Sequence, residues 1–268
     1  MKKLCSCLLL VIMPASVWAQ STASTTSLED QVDATGSSRW RLGLGVAAID
    51  NGYVGQGAKL TPIPLVSYEG QHFFFRGITA GIHLLKSDSI ALDAVITPGF
   101  GGINASDFSR ADLARRGINR DSLQDRSRSI DAGLQATWKG SAGQLKFEAT
   151  SDISGNSKGQ EYSLGYGYAL RMGAFTVTPS AGVKFLSNKV ANYYYGILPE
   201  EVRRGLPNYR PGAALIPEIG VSLSRPIGPK WALIINAKYS ELPNKISNSP
   251  LVDGNNTTSV FVGFSRAF

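Results

Sequence analysis

From about residue 39 to its end, the chain alternates apolar and polar side chains with a period of two. In "SIDAGLQATW", Ile130, Ala132, Leu134, Ala136 and Trp138 fall on one face, and Asp131, Gly133, Gln135 and Thr137 on the other. "WALIINAKY" sets Trp231, Leu233, Ile235, Ala237 and Tyr239 against Ala232, Ile234, Asn236 and Lys238. "LKFEATSDI", "EYSLGYGYALR" and "FTVTPSAGVKF" repeat the pattern. Successive side chains on a strand point to opposite sides, so each segment reads as a strand with one apolar face.

A soluble sandwich turns such faces inward; a transmembrane barrel turns them outward to lipid. Three features favour the barrel. The strands run ~9–14 residues, beyond the ~5–6 usual for soluble sheets and near the ~9–11 a membrane strand needs. Aromatics stand at the ends of the apolar faces, with Trp138, Trp231 and Tyr239 as candidate membrane-interface residues. Trp231 and Tyr239 are separated by ~27 Å of strand, or ~20 Å of height at a ~40° tilt. The opposite faces are rich in Gly, Ser and Thr with scattered charges such as Lys146, Glu148, Asp152 and Lys184, as a barrel interior requires. Connections alternate short (139–143, 171–174, 226–230) and long (101–126, 188–212, 243–256) back to about residue 89, the habit of short periplasmic turns and longer outside loops.

The predicted fold is therefore an all-β, antiparallel transmembrane β-barrel over 39–268. Eleven strand-like stretches can be counted, near 39–49, 59–69, 72–86, 89–101, 127–140, 143–154, 160–172, 174–187, 213–226, 230–242 and 256–268. A single-chain bacterial barrel takes an even number, leaving ten or twelve. "TPIPLVSYEG" is the doubtful one, because Pro62 and Pro64 cannot donate to a ladder. In the last stretch Val260, Val262, Phe264 and Phe268 share the lipid face, and this strand must close on the first, since an open edge in hydrocarbon is costly. A terminal Phe on such a strand resembles the sorting signal that the barrel assembly machinery recognises; Arg266 departs from that pattern.

The first residues fit an exported protein. "MKKLCSCLLLVIMPASVWAQ" has two lysines, an apolar stretch and small residues at its end, a signal peptide over 1–19. Residues 20–38 form a polar lead-in. Both cysteines, Cys5 and Cys7, fall within the leader, so the exported chain lacks disulfides and thiolate sites. Hydrophobic residues make up 43% and charged residues only 18%, against about 25% in average globular chains, with 29 glycines. Losing Lys2 and Lys3 lowers the net charge from +7 to +5, too small an excess to argue for nucleic acid.

The stretch 39–268 resembles the outer-membrane family of the murein-hydrolase-interacting protein MipA and its OmpV relatives. The likeness rests on "PIPLVSYEGQHFFFRG", "DISGNSKGQEYSLGYGYAL" with its DxSG turn, "YYYGILPEEVRRGLPNYRPGAAL", "SP" at 249–250 and the terminal Phe, in that order; Ile197 stands where Val is usual. The resemblance implies a non-enzymatic outer-membrane barrel. One member is described as a scaffold joining a murein-degrading transglycosylase to a murein synthase. It carries no catalytic residues and no cofactor.

Little other chemistry is on offer. His72 falls in a turn and His83 on a strand; a lipid-modifying enzyme would need His83 near an interior serine and Asp93. Two histidines far from any acidic cluster argue against zinc. The segment 107–128 holds six arginines among four aspartates, able either to contact lipopolysaccharide phosphates or to stay solvated. Tyr193, Tyr194, Tyr195, Ile197, Leu206 and Tyr209 are expensive to leave in water, so their loop either folds over the barrel mouth or meets a partner. The expected function is a scaffold for murein enzymes, set in outer-membrane lipid and lipopolysaccharide; a small solute channel and a lipid-modifying enzyme are the alternatives.

Overall fold

The computed structural model describes residues 39–99 and 101–268. The expected leader (1–19) and lead-in (20–38) lie outside the described residues. Thirteen strands follow in chain order: β1 (Trp40–Asp50), β2 (Lys59–Glu69), β3 (Phe73–Arg76), β4 (Thr79–Lys86), β5 (Ile90–Pro98), β6 (Ile130–Gly140), β7 (Gly143–Asp152), β8 (Gln160–Gly167), β9 (Leu170–Met172), β10 (Phe175–Leu186), β11 (Ala214–Ile227), β12 (Trp231–Glu241) and β13 (Asn256–Ala267). Each pairs antiparallel with its neighbours, and β13 returns to β1 from Arg41↔Ala267 to Asp50↔Thr258, closing the barrel. Among the described residues no helix is long and apolar enough to cross a membrane.

β8 and β9 are two pieces of one stave, since both pair with β10. The break has a chemical cause. Tyr168 N donates to Pro179 O (3.2 Å), so Pro179 turns its backbone toward that stave and has no N–H to return. With these two counted as one, the barrel has twelve staves, which resolves the choice between ten and twelve.

The twelfth was hidden in 72–86. That stretch is two strands, β3 and β4, joined by a two-residue turn with Gly77 at φ 61°, a conformation glycine supplies without a Cβ clash. Conversely, the doubted "TPIPLVSYEG" is a full strand, paired with β1 along its length and with β3 at one end.

The apolar faces point outward. Leu134, Leu145, Phe147, Ile219 and Leu164 are all exposed on the barrel's surface, whereas Asp131, Gln135, Lys146 and Thr150 on the same or adjoining staves are buried within. The interior is not uniformly polar, as the alternation alone implied. Ala47, Ile49, Leu65, Ile234 and Phe261, with Ile63 against them, form an apolar cluster inside the wall of β1, β2, β12 and β13. Glycine makes room for it: a Cβ at Gly45 would come within 2.4 Å of the Phe261 ring. Apart from the β3–β4 turn at 77–78, which faces the loop side, the short turns and both termini of the described barrel share one rim, the periplasmic one by the general habit of such barrels; the long loops leave the other.

Candidate functional site

The long loops do not hang free. They fold into a second hydrophobic core that lies across the outer mouth. Its members come from four connections: Tyr53 and Val54; Ile103, Phe108, Leu113, Ile118 and Leu123; Val190, Ala191, Tyr194, Tyr195, Ile197 and Leu206; and Ile246, Leu251 and Val252. Short helices organise them: α1 (Arg110–Arg115), α2 (Asn188–Tyr195), α3 (Pro199–Arg203) and α4 (Asn244–Ser247).

Each forms for a local reason. Ser109 caps α1 by accepting from Asp112 N at 3.3 Å. Pro199 opens α3, where a missing N–H costs nothing, and Gly205, at φ 92°, follows its end. In α2 the buried residues Val190, Ala191, Tyr194 and Tyr195 form one face of the helix, and that face meets the mouth.

A buried ion pair joins two of these loops. Arg126 Nη1 and Nη2 donate to Glu201 at 2.6 and 2.8 Å, with Arg126 4% and Glu201 0% exposed. Both partners are otherwise satisfied. Arg126 also donates to the carbonyls of Gln124, Tyr193 and Gly196, and Glu201 accepts from the backbone of Gln124 and Leu198 at 2.7 Å each. A buried pair repays its desolvation only when the remaining polar groups are filled in this way.

The tyrosines complete the seal. Tyr194 donates to Ser127 O at 3.2 Å and accepts from Ser129 N at 3.3 Å, Tyr193 accepts from Ser127 N at 3.0 Å, and Tyr195 stacks on Tyr53 with centroids 5.6 Å apart. Burial pushes the phenols of Tyr53, Tyr194 and Tyr195 above their ordinary range, so they stay neutral. Ile197 and Leu206 lie in this core, and Tyr209 packs on its edge and donates to Lys245 O at 2.9 Å. Of the arginines in 107–128, Arg110 and Arg115 pair with Asp121 and Asp112, while Arg116 reaches across to Asp253. Leu113 and Ile118, from the same segment, are buried in the cap. The DxSG turn is structural too: Asp152 accepts from the backbones of Ser154, Ser157 and Lys158 and shapes the loop above β7.

Below the cap, charged side chains cross the lumen. Lys238 donates to Glu218 at 3.0 Å, Lys184 lies 3.8 Å from Glu161, and a cavity of about 30 Å³ beneath Tyr195, bordered by these groups, has room for a water or two. Near the periplasmic rim, His83 stands between two carboxylates, Nδ1 2.6 Å from Asp93 and Nε2 3.0 Å from Glu69. Glu69 also takes a two-pronged contact from Arg76 and one from Lys86. Among the described residues the polar partners of the His83 ring are Asp93, Glu69 and Lys86, and no serine hydroxyl is hydrogen-bonded to it. Among the described residues no three His, Asp or Glu side chains are placed to hold a metal ion.

The remaining residues singled out in the sequence lie in the wall. Trp138, Trp231 and Tyr239 are exposed on its outer surface, as are Val260, Val262, Phe264 and Phe268 of the closing strand. Arg266 lies over the rings of Trp231 and Phe268, at 5.7 and 5.0 Å. Sequence reasoning missed the Arg126–Glu201 pair altogether.

Residues 42–268 match the family model of the MltA-interacting protein MipA. The chain is 30% identical to the putative outer membrane protein YiaT of Escherichia coli K12, over 87% of this chain and 92% of that one. It is 28% identical to the MltA-interacting protein of the same organism, over 86% and 90%. With the outer membrane protein OmpV of Vibrio cholerae it shares 27% identity over about half of each chain. Among solved structures, the NanC porin aligns over 85% of this chain and 100% of its own, at 9% identity and a TM-score of 0.47.

Proposed function

The chain belongs to the family of the MltA-interacting protein MipA and is an outer-membrane β-barrel, and from that premise we propose that it is a non-enzymatic scaffold that holds a murein hydrolase, and through it a murein synthase, at the inner face of the outer membrane. The sealed mouth carries this reading. A diffusion pore needs a continuous wet path, and here loops from four connections bury a joint apolar core and an ion pair across it. A relative at 28% identity bears the name MltA-interacting protein, which supports a murein hydrolase as partner. Pull-down of periplasmic murein hydrolases and synthases on the detergent-solubilised barrel tests it. Specific retention of a hydrolase is expected; no specific binding of either class removes the proposal.

A small solute channel is the second reading, favoured by the charged side chains that line the lumen, Glu161, Lys184, Glu218 and Lys238 among them. Planar-bilayer recording separates the two: a scaffold stays silent at all voltages, and stepwise conductance moves the assignment to the channel. A lipid-modifying enzyme is disfavoured by the carboxylate at the second nitrogen of His83. Unchanged lipid composition in cells carrying His83→Ala is the corresponding expectation.

A further inference from the structure

Among the described residues, the strand pairing of the wall is interrupted beside β2. β2 pairs with β3 only through Ser67, Tyr68 and Glu69, with Gly77 N donating one further bond to Val66 O at 2.9 Å. From Leu65 up to Lys59, β2 runs on for roughly 20 Å of strand with β1 on one side and, among the described residues, no strand on the other.

The backbone directions are fixed by two hydrogen bonds. Glu69 N donates to Arg39 O, beside β1, so odd-numbered residues of β2 turn their polar groups toward β1. Val66 accepts from Gly77 on the other side, so even-numbered residues face the gap. Those residues are Leu60, Pro62 and Pro64. Two of the three N–H groups that would point unpaired into the gap are therefore absent. The far flank repeats the device. Gly99 N donates to Ser129 O, beside β6, so even-numbered residues of β5 face β4, and the last of them, at the level where β4 has already turned, is Pro98.

Prolines on both flanks remove donors that would otherwise be orphaned in hydrocarbon, where each unsatisfied backbone group costs several kcal/mol, and leave the carbonyls of Leu60, Pro62 and Pro64 as the polar groups of the β2 edge; they also deny a visiting strand the donors it would need. The outer lip is apolar, with Leu60 76% exposed beside Pro62 and Pro64. The inner lip is apolar as well: Ile63 and Leu65 lead directly to Ala47, Ile49 and Phe261 of the interior cluster. At the loop-side end of β2, Lys59 lies 3.5 Å from Asp107.

We propose that this notch is a lateral port in the outer-leaflet half of the wall, and that it receives the acyl chain of a membrane lipid against Ile63 and Leu65. An acyl chain donates no hydrogen bond, packs on the apolar side chains of the lips rather than pairing with their carbonyls, and is the molecule present at that depth. The port is independent of the scaffold reading, and neither test below bears on murein enzymes.

Cys5 and Cys7 are the two cysteines of the sequence, so in protein produced from residue 20 onward a single introduced cysteine is a unique label site. Bimane on Ile63→Cys is reconstituted in phosphatidylcholine vesicles whose lipid bears a doxyl nitroxide midway along one chain. Leu44→Cys, facing lipid, and Ser222→Cys, facing the lumen between fully paired strands, are the references. Quenching at Ile63 is expected close to that at Leu44 and several-fold above that at Ser222. Thr61→Cys, inward on the same edge, is measured in parallel so that a folding defect at one site does not decide the matter. Quenching at both sites equal to Ser222, in protein that shows heat-modifiable migration, overturns the proposal. So does protection at both sites accompanied by a cross-linkable dimer, which would mean that a second copy covers the edge.

Discussion

The wall and the cap of this barrel use the same side chains with opposite addresses. In the wall Leu134, Ile219 and Phe264 face outward and the polar residues inward; in the cap Leu113, Ile118 and Tyr194 face inward, as they would in a small water-soluble domain. One chain is thus folded against two solvents. The wall is held by ladder hydrogen bonds that lipid cannot replace, and the cap by apolar burial and one desolvated ion pair, in contact with water. A substitution should therefore reveal its region by what it costs and by which part of the molecule comes loose.

The largest effect is expected in the cap. Glu201→Ala leaves Arg126 charged and buried without its partner, which typically costs about 3–5 kcal/mol. The loss should be local. Loops 101–126 and 188–212 should become protease-sensitive and exchange their amides, while the barrel still migrates as a folded, heat-modifiable band. If cap and wall instead unfold together, the two regions are one cooperative unit and the contrast fails.

The wall gives the mirror image. Leu134, 49% exposed at the middle of β6, faces the hydrocarbon centre, and an arginine there costs about 2–4 kcal/mol in such barrels. Denaturant titration of Leu134→Arg in lipid should show that loss in the whole barrel, with cap protease resistance unchanged below the transition. In a soluble sandwich the same position would be core and the protein would not fold. In a lumen-facing assignment the charge would be nearly free.

These two regions were unequally legible. Period two exposes the long staves because lipid and lumen sort most side chains of a strand over ten residues, even where Ile234 and Phe261 turn inward. It fails for β3, which has four residues, three of them phenylalanine, and whose only turn signal is Gly77. The rule that proline belongs to strand edges holds for β2, but the edge lies inside a closed barrel, where no alternation announces it: Pro62 and Pro64 mark a stretch with no neighbouring strand among the described residues. The cap could be suspected from the cost of leaving Tyr193 to Tyr195 in water. Its lock could not. Arg126 and Glu201 lie 75 residues apart on two different loops, and no spacing joins them. Within each loop they look like any other charge in a mixed-charge segment.

The smallest expected effect sharpens the same point within the cap. Arg110 and Asp121 make a two-pronged pair with 2.6 and 2.7 Å contacts, as short as those of Arg126 and Glu201, but with both side chains in water. Hydrogen bonding to Arg110 lowers the Asp121 carboxyl from 3.8. A lowered acid contributes whatever it contributes above its unfolded value and loses it as pH falls through the folded one, so this pair weakens only in strong acid. Because water screens both charges, Asp121→Asn is expected to leave cap protease resistance unchanged at pH 7 and also at pH 5, where the carboxylate is still ionised. A loss comparable to that of Glu201→Ala would mean that geometry, rather than burial, sets the strength of these bridges, and that the cap's stability is spread over its surface instead of residing at one dry contact.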